Sequence, residues 1–252
     1  MLKNFFFTVA LLLLYNCNGN GETSIEYYDT GEVFKKTEKR KVGQEVIYYY
    51  HKDGILKSIV TVYDDETSYK MFFKNGQISR EGKIRDFKDI GWHDFYNEAG
   101  KKTASIFFIN NKNCQVKNYD ENGNLNLQES LYTELFLPSD TLEQYKETEG
   151  YLRYHNGKSK YEYIDVYLNS NINSDFSNIY TVALDTFWSK EENKDIYFKV
   201  KFENFGKNYI RGYLYDAVSD SLDIYKLNGI RVWFEKEVFV KKKDGPPLVR
   251  EY

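Results

Sequence analysis

Proline is scarce in this chain, at three residues in 252, and long stretches with apolar residues at helical spacing are missing. That combination leaves β-structure as the main expected element. Charge of one sign is lacking too. Lys plus Arg total 35 against 38 Asp plus Glu, a formal net charge of −3. Phosphate contacts need a basic excess on one face, so the balance argues against a nucleic-acid partner. Only three histidines occur, His51, His93 and His155, none within metal-ligand spacing of another. No Gly-x-Ser-x-Gly elbow is present, and the many carboxylates are scattered as on solvated strand faces. The sequence therefore assigns no catalytic residue, no cofactor and no metal, and a non-enzymatic protein is expected, with a hydrolase whose carboxylate pair only the fold brings together as the third alternative.

Aromatic residues are in excess instead, at 18% with 24 Tyr and 18 Phe. Tyrosine joins an apolar ring to a wettable hydroxyl, which suits half-buried strands. Five glycines, Gly31, Gly54, Gly76, Gly100 and Gly123, follow one another at separations of 23, 22, 24 and 23. Four residues before each stands an aromatic: Tyr27, Tyr50, Phe72, Tyr96 and Tyr119. Two residues after stand Val33, Leu56, Ile78 and Leu125, with Lys102 as the exception. Asp53, Asn75 and Asn122 directly precede their glycines, and Asp-Gly or Asn-Gly predicts a type I′ hairpin turn. Gly100 follows Ala99 instead, so a longer bulged loop is expected there. Weaker turns are expected around Gly43, Asp64-Asp65, Asp89 to Gly91 and Asn110-Asn111. Each repeat should thus supply two antiparallel strands to one meander, stabilised by stacking on its neighbours.

Tyr27-Tyr28-x-x-Gly31-x-Val33, Tyr49-Tyr50-His51-Lys52-Asp53-Gly54-Ile55-Leu56 and Phe72-Phe73-Lys74-Asn75-Gly76-Gln77-Ile78 resemble the MORN-variant repeat (membrane occupation and recognition nexus). The resemblance covers residues 23–130. It implies a protein-binding repeat module, in bacteria one commonly associated with antitoxin- or immunity-like roles, and it carries no catalytic residues.

At the N-terminus Lys3 precedes an apolar run from Phe5 to Leu14, too short to span a bilayer and of secretory h-region length. Leu14-Tyr15-Asn16-Cys17 resembles a bacterial lipobox, which implies a signal peptide over 1–16 and a lipidated Cys17. Residues 17–22 then form a short tether. The expected location is the bacterial cell envelope, with the membrane contacted through the lipid anchor. The tether lacks an acidic cluster, which favours the periplasmic side over the cell surface. Cys114 remains as one thiol without an intramolecular disulfide partner and reads as structural.

Beyond the repeats, residues 131–150 read as a connector. Asp140 with Glu143 three positions on resembles a capping box, predicting a short helix over 141–148 stopped by Gly150. From 151 to 252 the segments alternate: Ile196, Phe198, Val200 and Phe202 share one face, as do Ile230, Val232, Phe234, Val238 and Val240, interrupted by Lys236. Further strands are expected at Tyr161–Leu168, Asn178–Phe187 and Tyr209–Tyr215. The fold class is therefore all-β: an antiparallel β-hairpin repeat meander, one short connecting helix, and a small antiparallel β-sandwich-like domain. Gly157-Lys158-Ser159 lacks the earlier glycine of a phosphate loop, and Asp120, Asn122, Asn124 and Glu129 miss EF-hand spacing. Both read as turns. Trp92, Trp188, Trp233, Tyr197, Tyr213 and Tyr215 are the residues available to anchor a protein partner or stack on a glycan.

Overall fold

The computed structural model describes residues 22–40, 43–63, 66–157, 163–189, 195–219 and 227–243. The expected signal peptide, Cys17 and most of its tether, Asp64-Asp65 and Lys158-Ser159 lie outside the described residues. Ten strands run as a meander: β1 (Thr23–Tyr27), β2 (Val33–Lys39), β3 (Glu45–Tyr50), β4 (Leu56–Val62), β5 (Thr67–Phe72), β6 (Ile78–Arg85), β7 (Lys88–Tyr96), β8 (Lys102–Ile109), β9 (Lys112–Tyr119) and β10 (Leu125–Phe136). Then come β11 (Thr141–Glu143), β12 (Thr148–Asn156), β13 (Tyr163–Asn169), β14 (Asp185–Trp188), β15 (Asp195–Val200), β16 (Gly206–Ser219) and β17 (Leu227–Lys241). β12 and β15 extend the meander into a 12-stranded sheet, and the others form a second sheet in the order β11-β17-β16-β13-β14.

The repeat hairpins explain the sequence period. All five repeat glycines have positive φ, between +76° and +97°. His51 donates its N–H to the Ile55 carbonyl and accepts the N–H of Gly54, at 2.8 and 2.9 Å, and the same pair of bonds recurs in the other four loops. Asp53, Asn75 and Asn122 keep negative φ, so the expected type I′ turns are not what forms. The loop is a three-residue one, a type I turn closed by a left-handed glycine and a bulge. Asp53 and Asn75 serve it differently: their side-chain oxygens accept the N–H two residues on, from Ile55 and Gln77, whereas at Gly123 the Asn124 N–H goes to Asp120. Gly100 closes the same loop rather than a longer one, because Asn97 supplies that oxygen to Ala99 and Lys101. The aromatic and the residue two past the glycine are direct cross-strand partners: Tyr27 with Val33, Tyr50 with Leu56, Phe72 with Ile78, Tyr96 with Lys102, Tyr119 with Leu125. Each such pair adds about 0.2–1 kcal/mol over alanines.

On the opposite edge, two-residue turns with both φ values positive do occur, at Asp86-Phe87 and Asn110-Asn111. The turn expected at Asp89 to Gly91 is thus displaced: those residues lie inside β7, where Gly91 (φ +68°) accompanies a shift in the β6–β7 register.

The second sheet closes over the last strands of the first. Leu152 and Tyr154 of β12 and Ile196, Phe198 and Val200 of β15 pack with Val166, Leu168, Leu214, Val232, Phe234 and Val240 in one core. Burying a side chain of this kind contributes about 1.5–3 kcal/mol. The boundary expected at 150 falls within β12, and Leu131 and Leu135 of β10 also pack on this core. The sandwich and the meander share one sheet. The connecting helix is absent. Thr141–Glu143 instead pairs parallel to β17, placing Leu142 opposite Val240 and burying it. Ser139, not Asp140, accepts the Thr141 N–H, while the Asp140 carboxylate meets Lys236, the residue that interrupts the β17 alternation, at 2.8 Å. Burial of Leu142 outweighs the weak local capping signal. Gly150 stops no helix: a Cβ there would lie 2.6 Å from the Phe136 carbonyl and 2.8 Å from the Phe198 ring. Of the Asn178–Phe187 segment, only the last three residues are strand, the start of β14 (Asp185–Trp188); the earlier part folds Ile179 with Ile172 and Phe176 onto Phe107 and Ile109.

Candidate functional site

The sandwich core takes one face of β10, β12 and β15. The other face carries cross-strand rows set by the register. Phe136, Tyr151 and Tyr197 are successive partners, and so are Glu134, Arg153 and Asp195; Tyr132 stands opposite His155. The rows interlock. Phe136 and Tyr151 stack with centroids 4.6 Å apart, and the Arg153 guanidinium lies 5.5 and 5.6 Å from those rings. Arg153 also forks onto Asp195 at 2.7 and 2.8 Å, which holds that carboxyl below its usual range. Tyr132 stacks on His155, itself 2.9 Å from Glu134, and the Lys117 ammonium sits over both Tyr132 and Trp92.

The same face continues into the repeats. Lys70, Glu81, Asp94, Ser105 and Lys117 are consecutive partners across β5 to β9. Tyr96 donates to Glu81 at 2.6 Å, and that bond is the main cause of the lowered Glu81 pKa. Lys102, the exception to the apolar repeat position, pairs with Asp94 and reaches over the rings of Tyr96 and Tyr119. Its cation–π contacts, about 0.5–1 kcal/mol each on a surface, stand in for the missing apolar pair. A shallow cavity of about 350 Å³ lies here, bordered by Thr61, Ser68, Lys70, Glu81, Trp92 and Asp94. Burial raises the Tyr96 hydroxyl's pKa and pushes that of Tyr132 up to about 12. At neutral pH these hydroxyls are therefore hydrogen-bond donors, set among fixed charges.

A buried polar knot lies on the opposite face of β5 to β8. His93 is fully buried beneath Gly82. Its Nε2 lies 2.9 and 3.1 Å from the Lys83 and Ile90 carbonyls while the Arg80 guanidinium faces Nδ1, and on these contacts the proton is assigned to Nε2. Nδ1 then accepts, from Arg80 at 2.9 Å or Tyr69 at 3.1 Å. Arg80 pairs with Asp89 at 2.6 Å and is ringed by Tyr69, Phe95 and Phe108. Its Nε is buried with no hydrogen-bond partner among the described residues. Burial lowers the His93 pKa, so the ring is neutral. Sequence reasoning passed over this group. The available signal was Gly82, since a glycine inside a strand marks close approach.

Of the aromatics singled out for binding, Tyr197, Trp188 and Trp92 are 69%, 60% and 38% exposed. Trp233 and Tyr213 instead pack against Phe176 and each other, and Tyr215 lies under Gly229. The five repeat aromatics and glycines are brought together only as successive rungs, at turn and pairing positions. Asp120 and Asn124 close their own loop, with Asp120 accepting the N–H groups of Asn122 and Asn124. Cys114 is half-buried beside the Phe107 cluster, and burial pushes its thiol up to about 11. Among the described residues no group of three His, Cys, Asp or Glu is placed to hold a metal ion, and no helix is long and apolar enough to cross a membrane. No family model matches the chain, and no curated protein matches it.

Proposed function

We propose that the chain is a bacterial envelope lipoprotein, anchored through Cys17 on the periplasmic side, whose MORN-variant-like sheet acts as a protein-binding module. One observation carries the reading: the face opposite the sandwich core holds interlocked aromatic and charged rows from β5 to β15, with Trp92 and Tyr197 exposed among them. Aromatic and Arg anchors held rigidly by neighbours lose little entropy on binding, which is the chemistry of a protein interface. An antitoxin- or immunity-like role is a special case of this reading. A glycan ligand is the second reading, favoured by the exposure of Trp188 and Tyr197. The stacked Phe136 and Tyr151 favour protein, because their ring faces already meet each other and Arg153.

The test joins a pull-down from membranes to a glycan array. A protein captured by the chain and lost with Trp92→Ala/Tyr197→Ala supports the first reading. Glycan binding without a captured protein replaces it with the second. Anchoring is tested separately: Cys17→Ala should move the protein from the membrane to the soluble fraction, and unchanged membrane association would refute it.

A further inference from the structure

The 12-stranded sheet ends differently on its two sides. At one end β15 belongs to the sandwich core through Ile196 and Phe198. At the other end β1 is exposed at all five residues, Ile25 at 43% and Tyr27 at 58%. Its outer edge pairs with nothing among the described residues. Stacked hairpins need a cap at each end, and an edge with apolar side chains and free backbone groups invites another strand.

The ladder specifies which groups are free. Lys39 donates its N–H to the Glu22 carbonyl, and Thr23 lies opposite Glu38. Hydrogen-bonded and non-hydrogen-bonded positions alternate along an antiparallel pair. Glu22, Ser24 and Glu26 therefore aim their backbone groups at β2, and Thr23, Ile25 and Tyr27 aim theirs outward. The outward set is symmetric about Ile25. Two antiparallel copies of β1 centred on Ile25 set Ile25 against Ile25 and Thr23 against Tyr27, all hydrogen-bonded pairs. The side chains of Thr23, Ile25 and Tyr27 share one face, giving an apolar strip across the junction. On the other face Glu26 meets Ser24 of the second copy, so the two Glu26 carboxylates are not opposed, and each keeps its own Lys35 at 2.9 Å. A register centred on Ser24 pairs only Thr23 with Ile25 and leaves Tyr27 without a partner in β1, and one centred on Glu26 leaves Thr23 out and opposes two Glu26 carboxylates, so the Ile25 centre alone engages all three outward residues.

We propose that β1 is a self-association edge, through which two copies of this chain join antiparallel about Ile25 into one continuous sheet. The interface is isologous, as the commonest dimers are.

The experiment is site-specific cross-linking of the full chain carrying Cys17→Ala and Cys114→Ser. Directly opposed hydrogen-bonded residues have Cα atoms about 5.5 Å apart, inside the disulfide range. Under mild oxidation Ile25→Cys should form a covalent dimer at least tenfold faster than Ser24→Cys or Glu26→Cys alone, while those two mixed should cross-link to each other. Sedimentation gives the second arm. The unsubstituted chain should associate with rising concentration, and Ile25→Pro should stay monomeric with an unchanged melt, because the lost N–H points away from β2. A monomer at every concentration, whether the edge is empty or held by residues before 22, overturns the proposal. Equal cross-linking at 24, 25 and 26 also overturns it.

Discussion

Replacing Gly82 with alanine tests whether the buried imidazole knot is a built part of the repeat sheet. A Cβ at Gly82 would lie 2.4, 2.5 and 2.6 Å from Cγ, Cδ2 and Nδ1 of His93. The ring cannot slide away cheaply, since Lys83, Ile90, Tyr69 and Arg80 hold both its nitrogens. Overpacking of this kind costs about 1–3 kcal/mol, and each neutral hydrogen bond strained open adds about 1 kcal/mol. Gly82→Ala should therefore destabilise by about 2–4 kcal/mol, although an alanine inside a strand would ordinarily be neutral or better. His93→Ala removes the obstacle while leaving a cavity of its own, so Gly82→Ala added to it should cost under about 0.5 kcal/mol, a coupling of roughly 2 kcal/mol. Urea unfolding of the four chains, followed by tyrosine and tryptophan fluorescence, reads the cycle. Additive effects would refute the reasoning, because they would mean the new methyl group never meets the ring.

The same histidine predicts a pH dependence. Its pKa is lowered by burial, so below its ordinary value of 6.5 the unfolded chain binds the proton that the folded chain refuses. The urea midpoint should fall as pH drops below about 6.5, and His93→Gln should flatten that decline; an unchanged decline would remove His93 as its cause. Gly76 has φ +83° with open space around its absent side chain, so Gly76→Val should cost about 1–2 kcal/mol from backbone strain alone and Gly76→Asn clearly less, as read by thermal melts. Equal melts would contradict the left-handed loop. A fragment of residues 151–252 cuts β12 and removes Leu131, Leu135 and Leu142 from the core, so it should lack a cooperative melt, whereas residues 102–252 should retain one. A cooperative 151–252 fragment would restore the boundary at 150.

The repeat glycines were legible because positive φ, an aromatic four residues before and its cross-strand partner two residues after are all local requirements of one loop. The type of loop was not, since Asp-Gly fits both a type I′ turn and a type I turn with a bulge, and only the hydrogen bonds distinguish them. The alternation of Ile196, Phe198 and Val200 identified a buried strand face without revealing what covers it. That these residues complete the meander's own sheet depends on a long-range pairing, β12 with β15, that leaves no local mark. The mistaken helix has the same origin: Asp140 and Glu143 carry a local signal worth about 1 kcal/mol, against burial of Leu142 beside a strand nearly a hundred residues away. On the candidate site, the sequence identified Trp92 and Tyr197 as available aromatics. It could not align them with Lys117, Arg153 and Asp195, because the shared face follows from register across five strand pairs.

The central claim is that the face bearing Trp92 and Tyr197 engages a protein. A photo-cross-linking amino acid installed in place of Trp92 or Tyr197, and for comparison in place of Phe205 or Phe239, which are 61% and 54% exposed elsewhere, tests this in living cells. The account predicts a discrete covalent adduct with one protein from positions 92 and 197 and none from 205 and 239. Adducts from 205 or 239 alone, with 92 and 197 silent, would contradict it.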